Sequence, residues 1–159
     1  MIRWLALFAL LTASATSAKE SLGVYSDWAA FRDPQVPRCY AIAASDADER
    51  PQGYASLGTW PARGVRNQVY IRLSRAVSDK ARVRIFIAGR RFDLKAQGSH
   101  AWAADKAMDA SIIAAMRSAR RMSVSARARD GQSFTDRYDL EGAATAMDAA
   151  IVGCAPRRN

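Results

Sequence analysis

The chain has 159 residues, 50% of them hydrophobic, with 24 Lys+Arg against 15 Asp+Glu, one His and two Cys. That apolar fraction excludes a disordered chain, and the length suits one domain around a single core. One imidazole and two distant thiols, with no CxxC or HExxH pair, supply no ligand set for a metal, while a formal net charge of +9 points toward acidic partners.

In chain order, the first segment is MIRWLALFALLTASATSAKES, with one cation (Arg3), an apolar run from Trp4 to Leu11, and small residues up to Ala18. This is the layout of a secretory leader cut after Ala18, with Thr16 at −3 and a cut after Ala15 as the rival. The other reading, an uncleaved anchor, needs roughly 20 apolar residues, about twice the run present. The expectation is a periplasmic or secreted protein: residues 1–18 as leader, residues 19–159 as one domain, and no transmembrane segment after leader removal.

Strand signals follow at 23–31, 38–44 and 53–60, where aromatic or β-branched residues lie between turn-forming stretches. DADERPQG reads as a polar loop and WPARG as a break. NQVYIRLS alternates, with Val69, Ile71 and Leu73 on one face and Tyr70 and Arg72 on the other. ARVRIFIAGRRFDLK predicts a hairpin turning at Ala88-Gly89. That register sets Ile85 opposite Phe92 and Val83 opposite Leu94 on the inner face. It sets Arg84 opposite Asp93 on the outer face, a cross-strand ion pair.

A helix is predicted over 106–118, capped by Asp105, with Met108, Ile112, Ala115 and Met116 as its apolar stripe. Arg117, Arg120 and Arg121 cluster at its C-terminal end, where the macrodipole favours cations. RMSVSARARDGQSFTDRYDL predicts a second hairpin. A two-residue Asp130-Gly131 turn would mix its faces. A three-residue loop, Arg129-Asp130-Gly131, pairs Ala126 with Phe134 and Met122 with Tyr138, with Gly131 in the left-handed position. Asp136 then falls on the inner face opposite Val124, an awkward place for a carboxylate. EGAATAMDAAIVGC reads as a short second helix delivering Cys154. Six or more strands with one or two short helices predict a mainly β fold, an antiparallel β-sandwich.

In an oxidising compartment, Cys39 and Cys154 are expected to form a disulfide tying the C-terminal segment to an early strand. Two buried free thiols, a redox pair or a metal site are the alternatives. The wide spacing speaks against a redox pair, and the lack of close ligands against a metal.

GVYSDW, with Cys-Tyr-Ala eleven residues after the Trp, resembles the opening of the invasion-associated locus B protein family. The later pattern is similar too: an Asp-led helix (DASIIAAMRSARR), a β-hairpin, then Leu-x-Gly into an Ala-rich tail (DLEGAATAMDAA). The resemblance covers most of residues 19–159, although the chain lacks the mid-chain Cys…Gly-Cys that family members often carry. It implies an exported protein with an immunoglobulin-like β-sandwich and no assigned biochemical activity, linked in some pathogens to host-cell invasion. It also implies that Trp28 is a core anchor and Cys39 one half of a bridge.

Charge is the most informative functional feature. Residues 63–129 carry 16 Lys+Arg against 4 Asp+Glu, whereas 19–62 and 130–159 are each net −2. The first hairpin sets Arg82, Arg91 and Lys95 on its outer face around Phe86, and the second points Arg127 and Arg137 outward. Such a face suits anionic lipid, an acidic glycan or an acidic protein. The bland reading is that these arginines solvate the sheet and blunt edge pairing. Nucleic acid is a poor partner, since export removes the protein from it and no recognition motif is present. No cofactor is implied.

An enzyme reading has to centre on His100, recruiting Asp93 or Asp105 and a serine, yet no GxSxG elbow exists. Three functions therefore stand: a non-enzymatic envelope binding module, a structural or stress-related periplasmic protein without a specific ligand, and a hydrolase at His100. The first is the expectation.

Overall fold

The computed structural model describes residues 18–46 and 51–156. Apart from Ala18, the leader expected over 1–18 lies outside these residues, as does the middle of the DADERPQG loop. Among the described residues there are ten strands: β1 (Glu20–Tyr25), β2 (Trp28–Asp33), β3 (Arg38–Ala44), β4 (Tyr54–Trp60), β5 (Val65–Arg72), β6 (Val83–Ile87), β7 (Arg90–Gln97), β8 (His100–Trp102), β9 (Arg121–Arg127) and β10 (Ser133–Asp139). Two helices, α1 (Lys106–Ser118) and α2 (Ala143–Gly153), complete the regular structure with a 3-10 turn at Pro61–Arg63.

Both predicted hairpins have the predicted register. β6 and β7 pair Val83 with Leu94, Arg84 with Asp93 and Ile85 with Phe92 around the Ala88-Gly89 turn. The Arg84 guanidinium meets the Asp93 carboxylate at 3.0 Å. β9 and β10 pair Ala126 with Phe134 and Met122 with Tyr138. Ala128 N–H donates to the Gln132 carbonyl at 2.8 Å, closing a three-residue loop in which Gly131 has φ 85°. Asp136 faces Val124 and is 2% exposed. Its Oδ2 accepts the Ser74 N–H at 3.0 Å, so the buried carboxylate satisfies a backbone donor in the irregular segment after β5.

Two expectations need correction. The single strand expected over 23–31 is two strands, because Tyr25 pairs with Trp28 and Ser26-Asp27 turns the chain between them, Ser26 at φ 51°. After Lys95 the chain continues β7 to Gln97 and turns at Gly98-Ser99 into β8, a strand absent from the sequence reading.

All ten strands form one antiparallel ladder, in the order β1-β2-β3-β4-β5-β8-β7-β6-β9-β10. The three hairpin-linked strands β6, β7 and β8 are flanked by β5 beside β8 and β9 beside β6, the Greek-key arrangement of sandwich folds. β7 serves both halves: Arg90–Leu94 pair with β6, and Lys95–Gln97 pair with β8. The ladder curls until β10 returns to the β2–β3 end, where the Trp28 indole donates to the Asp139 carbonyl at 2.9 Å and Asp46 N–H to the Arg137 carbonyl at 2.8 Å. This is the mainly β, sandwich-like architecture expected. One core fills it, and Trp28 is fully buried there with Ile71, Ile85, Ile112 and Met147.

α1 follows its predicted bounds, with the Asp105 carboxylate accepting Met108 N–H at 2.8 Å as the cap. It packs on β5, and α2 packs on β1, β2 and β3. Cys154 caps α2 at its C-terminus and is disulfide-bonded to Cys39 of β3, with the Cα atoms 5.7 Å apart. No helix among the described residues is long and apolar enough to cross a membrane.

Candidate functional site

The hairpin registers place the basic residues on the outer surface in cross-strand rows. One row reads Arg91 (β7), Phe86 (β6), Ser123 (β9), Arg137 (β10). The next reads Asp93, Arg84, Ser125, Thr135, in the same strand order. Arg82, Arg91, Lys95, Arg127 and Arg137 are all exposed, and Phe86 among them is 40% exposed. A shallow groove of about 530 Å³ is lined by Arg82, Arg84, Arg127 and Lys80 together with Phe86 and Phe134. Among the described residues, no carboxylate lines it, and the acid in these two rows, Asp93, is held by Arg84.

The five candidate residues are thus not one cluster. Arg82 and Arg127 share the groove, joined by Arg84 and Lys80. Arg91 and Arg137 stand at opposite ends of one row. Lys95 sits at the joint of the two half-sheets, opposite Trp102 of β8. Arg127 is partly engaged, since its Nη1 donates to the Gly131 carbonyl at 3.2 Å within its own hairpin.

His100 stands apart from this face. Its Nδ1 lies 2.6 Å from the Tyr70 hydroxyl and its Nε2 3.0 Å from Arg72 Nη1. Arginine only donates, so Nε2 is the acceptor and the proton sits on Nδ1, directed at Tyr70. The two aspartates that a triad would need are placed elsewhere: Asp93 pairs with Arg84, and Asp105 caps α1. Among the described residues, no group of three or more His, Cys, Asp or Glu side chains is arranged to hold a metal ion.

The outer surface of the other half-sheet carries a second groove, of about 520 Å³, that the charge pattern did not reveal. Tyr54, Trp60, Tyr70 and Trp102 line it with Arg38 and Gln68, and all four rings are partly exposed. The alternation of β4 and β5 sends Tyr54, Trp60 and Tyr70 outward while Ala55, Leu57, Val69 and Ile71 go to the core. That alternation was the available signal. Tyr54 and Tyr70 rings lie 5.9 Å apart, and the Trp60 ring covers Gly58, where a Cβ would strike it. Burial, and then the neighbouring Tyr54, push the Tyr70 phenol above its ordinary pKa, which keeps it a neutral donor and acceptor.

No protein-family model matches the chain, and no curated protein matches it. The structure is similar to the crystal structure of invasion associated protein B from Bartonella henselae, with a TM-score of 0.62 at 17% identity over 86% of this chain and 97% of that one. The likeness extends across nearly the whole of that protein and establishes a shared fold.

Proposed function

We propose that this protein is an exported, non-enzymatic component of the cell envelope that binds acidic envelope or host-surface molecules through the outer face of β6, β7, β9 and β10. The single observation behind this reading is the pair of cross-strand rows, one ending in Arg91 and Arg137 and the other carrying their one acid, Asp93, itself neutralised by Arg84. A field of one sign over a sheet face attracts polyanions and loses that attraction as salt rises. The disulfide fits an oxidising compartment, and the similar fold of an invasion associated protein fits a surface-facing role.

The test is adsorption to vesicles containing anionic lipid, and to an immobilised acidic glycan, at low and high ionic strength. Binding that falls steeply with salt, and that is abolished in Arg82→Glu/Arg91→Glu/Lys95→Glu, supports the proposal; binding indifferent to both overturns it. A second reading, that the arginines only stabilise and solvate the sheet, draws on Arg127 and Arg84 being engaged within their own hairpins. It expects the triple reversal to leave both adsorption and cellular phenotype unchanged.

A further inference from the structure

The aromatic groove on β4, β5 and β8 calls for its own explanation. Four partly exposed rings gathered on the solvent face of a sheet form an apolar patch that a lone solvated surface does not need. They are also held in place. Gly58 leaves room for the Trp60 ring to lie across the strand, and Tyr70 is fixed by the chain of contacts through His100 to Arg72. Rings immobilised before binding lose little entropy on meeting a ligand.

The polar groups select the ligand. Arg38 stacks over Tyr40 at 4.7 Å and lies 6.0 Å from the Trp60 ring centre, which puts its guanidinium at the groove wall. Its ion pair with Asp33 is loose, at 3.8 Å, and its buried Nε has no hydrogen-bond partner among the described residues. Lys95 stands opposite Trp102, and Arg72 opposite Tyr54. Among the described residues, no carboxylate lines the groove. Flat rings with hydroxyl and amide groups (Tyr54, Tyr70, Gln68) beside a cation suit a ligand with apolar faces, a rim of hydroxyls and a negative charge.

We infer that this groove binds an acidic oligosaccharide. Pyranose C–H faces pack on Trp60, Trp102 and Tyr70, hydroxyls bond to Tyr54 and Gln68, and a uronate carboxylate is held by Arg38. The inference goes beyond the polyanion-binding face proposed above and does not depend on it, because its ligand contacts are Arg38, Tyr54, Trp60, Gln68, Tyr70 and Trp102, and Lys95 only borders both surfaces.

The experiment titrates the full chain with a hexamer of galacturonic acid, and separately with a neutral galactose hexamer, by calorimetry and by tryptophan fluorescence. Trp28 is fully buried, so a ligand-dependent change among the described tryptophans reports Trp60 and Trp102. Saturable binding of the acidic hexamer, weakened about tenfold by Trp102→Ala and by Tyr70→Ala with circular dichroism unchanged, is the expected result. Arg38→Gln is expected to reduce affinity for the acidic hexamer to that for the neutral one. Arg91→Glu/Arg137→Glu, on the basic face, should leave the tryptophan-fluorescence titration unchanged, whatever heat of polyanion binding at that face it removes from the calorimetry. The inference is overturned if neither hexamer binds, if both bind equally to the parent chain, if only the basic-face variant loses binding, or if a proline-rich peptide binds the groove and the hexamers do not. Failure of vesicle adsorption alone would overturn the basic-face proposal and leave this one standing.

Discussion

The Asp109 carboxylate on α1 accepts the backbone N–H of Val69 on β5 at 2.8 Å. Along β5, β8 pairs only with Tyr70–Arg72, so the helix side chain takes over where the short strand no longer reaches. Burial, opposed by this hydrogen bond, leaves the Asp109 carboxyl above its ordinary pKa. The folded state therefore binds its proton more tightly than the unfolded chain does. That contribution is complete below the ordinary carboxylate range and is lost as pH rises through the raised folded value.

Asp109→Asn keeps an acceptor and removes the cost of the buried charge, so its Tm at neutral pH should equal or exceed the parent's. Asp109→Ala leaves a buried N–H unpaired and should cost about 1–3 kcal/mol. Denaturant melts of the two variants at pH 7 check this. An Asn variant as unstable as the Ala variant would show that charge, not the acceptor, matters at this site.

The Cys39–Cys154 bond spans 115 residues. In the chain-entropy account, a loop of that length contributes about 4–5 kcal/mol. Cys154→Ala, or reduction of the parent chain, should lower the denaturant midpoint accordingly, and the two treatments should agree. Equal midpoints with and without reductant would contradict this.

Arg117 on α1 meets Asp148 on α2 through two contacts, of 2.5 and 3.3 Å. The hydrogen bond to Arg117 holds the Asp148 carboxyl below its ordinary pKa. Its contribution is present above the ordinary carboxylate range and fades as pH falls through the depressed folded value. Both groups are largely in solvent, so a double-mutant cycle with Arg117→Gln and Asp148→Asn should give no more than about 1 kcal/mol at pH 7. The coupling should shrink at low pH and in high salt; a coupling that grows with salt would rule out an ion pair.

Backbone conformation separates three turn positions. Ala88 has φ 47°, a left-handed value that suits Asn or Gly better, so Ala88→Asn should stabilise by about 0.5–1 kcal/mol. Gly131 is also left-handed but faces open space, so Gly131→Ala should cost about 1–2 kcal/mol. A Cβ at Gly142 would overlap the Tyr25 carbonyl, and Gly142→Ala should fail to fold at 37 °C. Comparing soluble yield and thermal melts of the three orders them directly.

The elements legible from sequence were those whose two faces agreed. In β6–β7 and β9–β10, apolar alternation, turn chemistry and charge pairing each required the same register, and the structure has it. The break at Ser26-Asp27 was hidden because the residues on both sides read as strand, and only the pairing of Tyr25 with Trp28 shows the turn. β8 has three residues, His100–Trp102, too few for any periodicity, although Gly98-Ser99 was a turn signal. The basic face was visible as charge density along the chain. The aromatic groove was not, because Trp60, Tyr70 and Trp102 come from three strands that only the ladder brings side by side.

The sulfur link joins the third strand to the residue that ends the last helix, so everything between must be synthesised before it can close. A translation product that stops short of residue 154 carries Cys39 as an unpaired thiol, which an alkylating reagent labels once the product is denatured. Oxidation state thus marks whether a molecule was finished, and a gel-shift assay on newly made protein can count complete copies against abandoned ones.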